Sequence, residues 1–192
     1  VGEWATTSIM KADGAKIEVL TEQRFPDSIG LLYSSFTQFL GFKVNSDEYK
    51  VMGLAPYGEK DSPQTQKYIK LINDKIIQND GIFPLLNLSY FSFQYGDRMI
   101  RYKKWEQLFG IPLRQPTDEL EQSHKNLALA IQIVTEDLLQ GILEYLKANR
   151  GSDNLCICGG VALNCAANGA MLSKDIYSNI YVLSLIHISE PT

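Results

Sequence analysis

Three features of this 192-residue sequence predict an α/β fold. The stripe Leu120, His124, Leu127, Ile131, Val134, Leu138, Ile142 and Tyr145 steps by fours and threes, the spacing of one helix face. Directly after it come a short apolar run, Gly159-Gly160, a second helical stretch and another apolar run, an order that implies parallel strands joined by a right-handed crossover. Near the start, two strand-like runs flank Asp13-Gly14, a hairpin signal.

Taken in chain order, residues 3–11 are rich in Thr and Ile and read as a strand, and residues 16–21 read as its partner. Pro26-Asp27-Ser28 opens a helix whose apolar positions Ile29, Leu32, Tyr33, Phe36, Phe39 and Leu40 end at Gly41, a C-terminal cap. A short stretch at 48–52 leads to an irregular loop at 53–58. Asp61-Ser62 with Pro63 at the first position starts a further helix. Asn79-Asp80-Gly81 is a turn, and residues 82–117, with many aromatics and Pro84, Pro112 and Pro116, read as loops with short elements. The long helix runs from an Asp118 cap, with Glu121 three residues on, to Gly151, about 30 residues or roughly 45 Å. Residues 155–158 are then a strand, 161–172 a helix and 180–183 a second strand.

Composition bounds the function. Eighteen Lys+Arg against 22 Asp+Glu leave a net charge of −4, and no long basic run offers a nucleic-acid footprint. Residues 155–173 carry no charge, but Gly159, Gly160, Asn164, Asn168 and Gly169 interrupt them, so they read as strand, turn and helix and not as a membrane span. Three cysteines, no signal peptide and ample length for a core point to a reducing cytoplasm. Cys156 and Cys158 face the same way on a strand and read as buried small hydrophobes. With two histidines in all, no multi-histidine metal site is built from this chain alone. His124, on the helix stripe, reads as a core or boundary residue.

The Gly159-Gly160-Val161-Ala162-Leu163-Asn164 turn is the foremost site candidate, because a strand feeding two glycines and then a helix lets a ligand approach bare backbone. Close packing explains paired glycines equally well. Asn164, placed one turn into the helix, reaches either a sugar hydroxyl or a neighbouring loop. Gly2, Glu3, Thr6 and Thr7 at the start of the hairpin offer backbone N–H and hydroxyl groups to a phosphate, although threonine is common in strands. Lys50 beside the Gly53 to Gly58 loop is a phosphate or ribose neighbour, or a solvated lysine before a helix stop. No P-loop and no Ser/His/Asp order is present, so the catalytic residues are left unassigned.

Three blocks together resemble one family. They are Gly2-Glu3-Trp4-Ala5-Thr6-Thr7; the run Phe25-Pro26-Asp27-Ser28-Ile29-Gly30-Leu31-Leu32-Tyr33 continuing through Gly41-Phe42-Lys43-Val44-Asn45 and residues 48–58; and Gly159-Gly160-Val161-Ala162-Leu163-Asn164-Cys165. Their order over residues 2–165 is similar to the amino-terminal domain of the NodU/CmcH-type O-carbamoyltransferases. The Gly-Gly-Val-Ala-x-Asn turn alone is shared with the tRNA threonylcarbamoyl-transferases, the rival assignment. An inert nucleotide-binding half is a third.

The resemblance implies an actin-like ATPase fold of two ribonuclease H-like lobes, of which residues 1–182 are the second, with a mixed sheet and flanking helices. It implies an enzyme that uses ATP and carbamoyl phosphate to form a carbamoyl-adenylate and passes the carbamoyl group to a hydroxylated small-molecule acceptor. Gly159, Gly160 and Asn164 then match the adenosine turn, Gly2, Glu3, Thr6 and Thr7 the phosphate-side hairpin, and Lys50, Gly53 and Gly58 the loop near the ribose. In the family an H-x-x-x-H pair and an Asp supply iron ligands before the segment equivalent to Val1, a Pro-x-x-x-Asp motif follows the strand equivalent to 180–182, and a YrdC-like domain completes the enzyme. None of these is in the chain, which is therefore expected to be an incomplete lobe, inactive alone and without a metal of its own. Residues 183–192 depart from the pattern and read as the in-frame translation of a transposase sequencing adapter.

Overall fold

The structure, a computed structural model, describes residues 4–79, 81–96, 98–150 and 152–183. Strands β1 (Ala5–Asp13) and β2 (Lys16–Arg24) form an antiparallel hairpin in which Asp13 faces Lys16. Gly14 occupies the turn at φ 58°, a conformation that costs a residue with a Cβ. The register slips between Ala5 and Thr7, so Thr6 is the extra residue of a bulge. Helix α1 (Ile29–Phe39) begins where the Ser28 hydroxyl accepts the Leu31 N–H at 3.2 Å. It ends with the N–H groups of Gly41 and Phe42 bonded back to the carbonyls of Gln38 and Thr37, and Gly41 at φ 76° makes that reversal cheap.

The segment expected to be a short stretch and a loop is more regular than that. Helix α2 (Glu48–Leu54) runs into a 3₁₀ turn (Ala55–Tyr57). Helix α3 (Pro63–Leu71) starts at Ser62, whose hydroxyl accepts from Thr65 N–H at 3.1 Å, and widens into a π turn (Ile72–Ile76) before β3 (Ile77–Asn79). β3 pairs antiparallel with β4 (Pro84–Leu86), and a 3₁₀ turn (Leu88–Tyr90) follows. Residues 82–117 also contain helix α4 (Tyr102–Phe109), where Trp105 and Phe109, four residues apart, place their rings on one buried face.

The long helix is present as α5 (Gln122–Arg150), 29 residues, but it starts later than expected. Asp118 is not its cap: its carboxylate accepts from Gln115 N–H at 2.8 Å, and its carbonyl accepts from Arg114. The capping is done from inside the helix, where the buried His124 Nδ1 accepts from Glu121 N–H at 3.0 Å. Burial holds the His124 pKa below its ordinary value, which keeps the imidazole neutral and able to accept. By length and composition α5 is apolar enough to cross a membrane, yet its apolar face is filled by protein: Leu127, Ala128, Ala130 and Ile131 are fully buried among the side chains of α1 to α4.

Strand β5 (Asn154–Cys158) pairs with β6 (Asn179–Leu183) in parallel, and helix α6 (Cys165–Leu172) makes the crossover. Leu155 and Ile157 turn inward onto Leu143, Met171 and Tyr177. Cys156 and Cys158 therefore take the other face and are exposed, so the expectation that they are buried is corrected: strand alternation puts them together but on the uncovered side. The expected mixed sheet is also corrected: among the described residues there are three separate two-stranded sheets, two antiparallel and one parallel. Ile9 of the hairpin, Ile29 of α1, Ile142 of α5 and Val161 beside the glycine turn meet in one cluster, which brings the two ends of the chain to the same helix. Of residues 183–192, Leu183 pairs with Cys158 in β6, and the other nine lie outside the described residues.

Candidate functional site

The candidate site gathers where α1, α2, α5 and the glycine turn meet. β5 ends at Cys158 and is followed by Gly159, whose φ of 100° only a glycine adopts without strain. A 3₁₀ turn (Gly160–Leu163) follows, tied by Ala162 N–H to the Gly159 carbonyl at 3.1 Å and by Asn164 N–H to the Val161 carbonyl at 3.0 Å. A Cβ added to Gly159 or to Gly160 meets no atom within 4 Å. These two glycines are consequently not close-packing devices, and open space lies over their backbone.

Asn164 is not one turn into a helix, as the sequence suggested; it is the residue that starts α6. Its Oδ1 accepts from Ala167 N–H at 3.0 Å, because the 3₁₀ turn takes the three residues 161–163 expected as helix. The same amide is paired reciprocally with Gln132 of α5: Asn164 Nδ2 donates to Gln132 Oε1 at 3.0 Å, and Gln132 Nε2 donates to Asn164 Oδ1 at 3.1 Å. Gln132 is 3% exposed, donates also to Glu136 Oε1 at 2.7 Å and accepts from the Tyr33 hydroxyl at 2.9 Å. Burial first, then the carboxylates of Glu136 and Glu48, push the Tyr33 pKa up, so its hydroxyl stays protonated and donates. Among the described residues, one Nδ2 hydrogen of Asn164 is left for a ligand.

α2 reaches the same corner: Met52 Sδ lies 3.6 Å from Cys165 Sγ. Gly53, one residue on, has no atom within 4 Å of an added Cβ. Glu48 is held by Ser34 Oγ at 2.7 Å and Asn45 N–H at 2.8 Å. Lys50 is solvated and pairs with Asp47 at 3.0 Å. Hydrogen bonding to the Lys43 backbone and to Lys50 lowers the Asp47 pKa, and the same pair raises that of Lys50; a solvent-facing pair of this kind contributes little. Gly58 is pressed against α5, where a Cβ would come within 2.6 Å of Leu129 Cβ and 2.7 Å of the Lys125 carbonyl. The loop after it is clamped there by Asn126, whose Oδ1 accepts from Glu59 N–H at 2.9 Å.

Gly2 and Glu3 lie outside the described residues. Thr6 Oγ1 bonds to the carbonyls of Gln23, at 3.2 Å, and Asp27; Thr7 Oγ1 donates to Gln23 Oε1 at 3.3 Å. The Thr6 hydroxyl thus joins the hairpin to the start of α1, whereas the Thr7 hydroxyl bonds within the hairpin. No three His, Cys, Asp or Glu side chains among the described residues are grouped to hold a metal ion, so these residues do not fit an iron site. Sequence patterning did not single out Tyr33, Gln132 and Glu136 as site residues. Gln132 was detectable as the single polar residue in the run 127–134, an amide in an apolar stripe that needs a partner.

Residues 1–187 match the family described as "Carbamoyltransferase N-terminus". An uncharacterised Synechocystis protein, sll1178, is 46% identical over 184 residues, covering 95% of this chain and 29% of that protein. The nodulation protein NolNO of Sinorhizobium fredii is 29% identical over 97% of this chain and 25% of its own length. NolO of Bradyrhizobium diazoefficiens is 27% identical over 97% and 31% respectively. The chain therefore spans less than a third of the length of each of these relatives. On a match over nearly all of its residues, with the open glycine turn inside that match, this chain belongs to the carbamoyltransferase N-terminal family.

Proposed function

We propose that the chain is the nucleotide-holding part of an ATP-dependent O-carbamoyltransferase of cytoplasmic biosynthesis. The carrying observation is the bare backbone at Gly159 and Gly160, beside an asparagine with one free N–H, in a chain of this family. A nucleoside fits such a surface because the flat base needs close approach to the main chain and the ribose needs one or two directed hydrogen bonds. In the proposed reaction carbamoyl phosphate is first hydrolysed to carbamate and inorganic phosphate, and a carbamate oxygen then attacks the α-phosphorus of ATP, giving a carbamoyl-adenylate with release of pyrophosphate. A hydroxyl of a small natural product then takes the carbamoyl group and AMP leaves. The fold that suits this is an actin-like ATPase lobe facing a second lobe. Activation chemistry and any iron belong to parts of the full-length protein beyond these residues.

Gly160→Val tests the proposal with little structural side effect, because the new side chain enters open space and the position has no left-handed φ. In the full-length protein the melting temperature is expected to stay unchanged while ATP affinity by calorimetry falls more than about tenfold, the order expected when a ligand loses its close approach. Unchanged affinity removes the turn from the site.

A further inference from the structure

We propose that Gln132 is a positioning residue that holds Asn164 and, through it, keeps the Gly159-Gly160 turn in its ligand-accepting shape. This rests on the nucleotide assignment above. The direction of every amide in the chain of contacts follows from Glu136. A carboxylate only accepts, so the Gln132 group facing Glu136 Oε1 at 2.7 Å is Nε2. Oε1 of Gln132 then faces the Tyr33 hydroxyl at 2.9 Å and Asn164 Nδ2 at 3.0 Å. That leaves Asn164 Oδ1 toward Ala167 N–H, the orientation that caps α6. With Gln132 reversed, Asn164 would turn its NH₂ toward the Ala167 N–H and the cap would be lost.

The arrangement does more than fill a core. Gln132 and Tyr33 are buried on α5 and α1, whereas Asn164 ends the 3₁₀ turn that carries the open glycines. The network therefore fixes a surface turn to two core helices, at a point where the turn has no side chain of its own against the core over Gly159 and Gly160. A buried amide between Ile131 and Val134 is costly unless fully paired, and each of its polar atoms has a partner here.

The test uses the full-length protein with Gln132→Leu, Asn164→Ala, their double variant and Tyr33→Phe. Amide exchange over residues 160–167 and ATP affinity are measured on each. For Gln132→Leu, exchange is expected to quicken about tenfold and ATP to bind about tenfold more weakly, the scale of couplings carried by a packed network. The double variant binds ATP no more weakly than Asn164→Ala alone, since Gln132 acts through Asn164. Tyr33→Phe keeps the ring and shifts both readouts the same way by about threefold; it carries the test if Gln132→Leu does not fold. Unchanged exchange, or losses of affinity that add in the double variant, overturn the proposal. A wild type that binds no ATP overturns the nucleotide assignment instead, and exchange alone then decides for or against the positioning role.

Discussion

Trp105→Ala lowers the unfolding free energy by about 4 kcal/mol, the cost of removing a large aromatic from a packed core. Trp105 is fully buried on α4, with ring centroids 4.8 Å from Phe36, 5.5 Å from Phe39 and 5.5 Å from Phe109. These contacts join α4 to α1, and Phe109 passes them on to Tyr68 of α3 at 5.7 Å. The indole also donates to the Tyr90 carbonyl at 2.9 Å, so truncation leaves a cavity and an acceptor that loses its partner. Because single domains have about 5 to 15 kcal/mol in hand, this one change removes a large share of it. Equilibrium urea unfolding checks it: a loss below about 1 kcal/mol contradicts a core centred on Trp105.

Arg114→Met is expected to cost about 2 kcal/mol, since it keeps most of the volume but leaves the buried Leu40 carbonyl without its donor and breaks the bonds to the Pro116 and Asp118 carbonyls. Arg114 is buried and its guanidinium donates to carbonyls alone: Leu40 at 2.9 Å, Pro116 at 3.2 Å and Asp118 at 2.6 Å. It stands over the Phe42 ring at 5.4 Å, and its own carbonyl sits where a Cβ on Gly41 would come within 2.6 Å. The residue thus ties the end of α1 to the approach of α5. Positive charge at the end of α1, where carbonyls are unpaired, adds to the effect. Arg114→Lys recovers part of the loss, because an ammonium has three donors but lacks the planar reach of the guanidinium. Thermal unfolding of the three proteins should rank wild type, Lys, Met; equal stabilities sink this account of Arg114.

What was legible in the sequence was local. The α5 stripe, the Ser28 and Ser62 helix starts and the Gly41 reversal follow from residues three or four apart, and the parallel β5–β6 pair follows from element order. α4 was hidden because its Trp105 and Phe109 pair lies among prolines and other aromatics that dilute a period of 3.6. Alternation put Cys156 and Cys158 on one face of β5 without saying which face α5 and α6 would cover. The glycine turn was visible because only glycine suits its backbone. The device behind it was not: Tyr33 and Gln132 are 99 positions apart, and Gln132 and Asn164 are 32 apart, separations at which a single sequence carries no pairing signal.

Pyrophosphate release from ATP tests the central claim, that this family member takes part in carbamoyl activation, most directly. Full-length protein given ATP and carbamoyl phosphate is expected to release pyrophosphate only when both are present, and the 192-residue chain alone is expected to release none. Release that is the same with and without carbamoyl phosphate, or equal release by the 192-residue chain alone, contradicts the account.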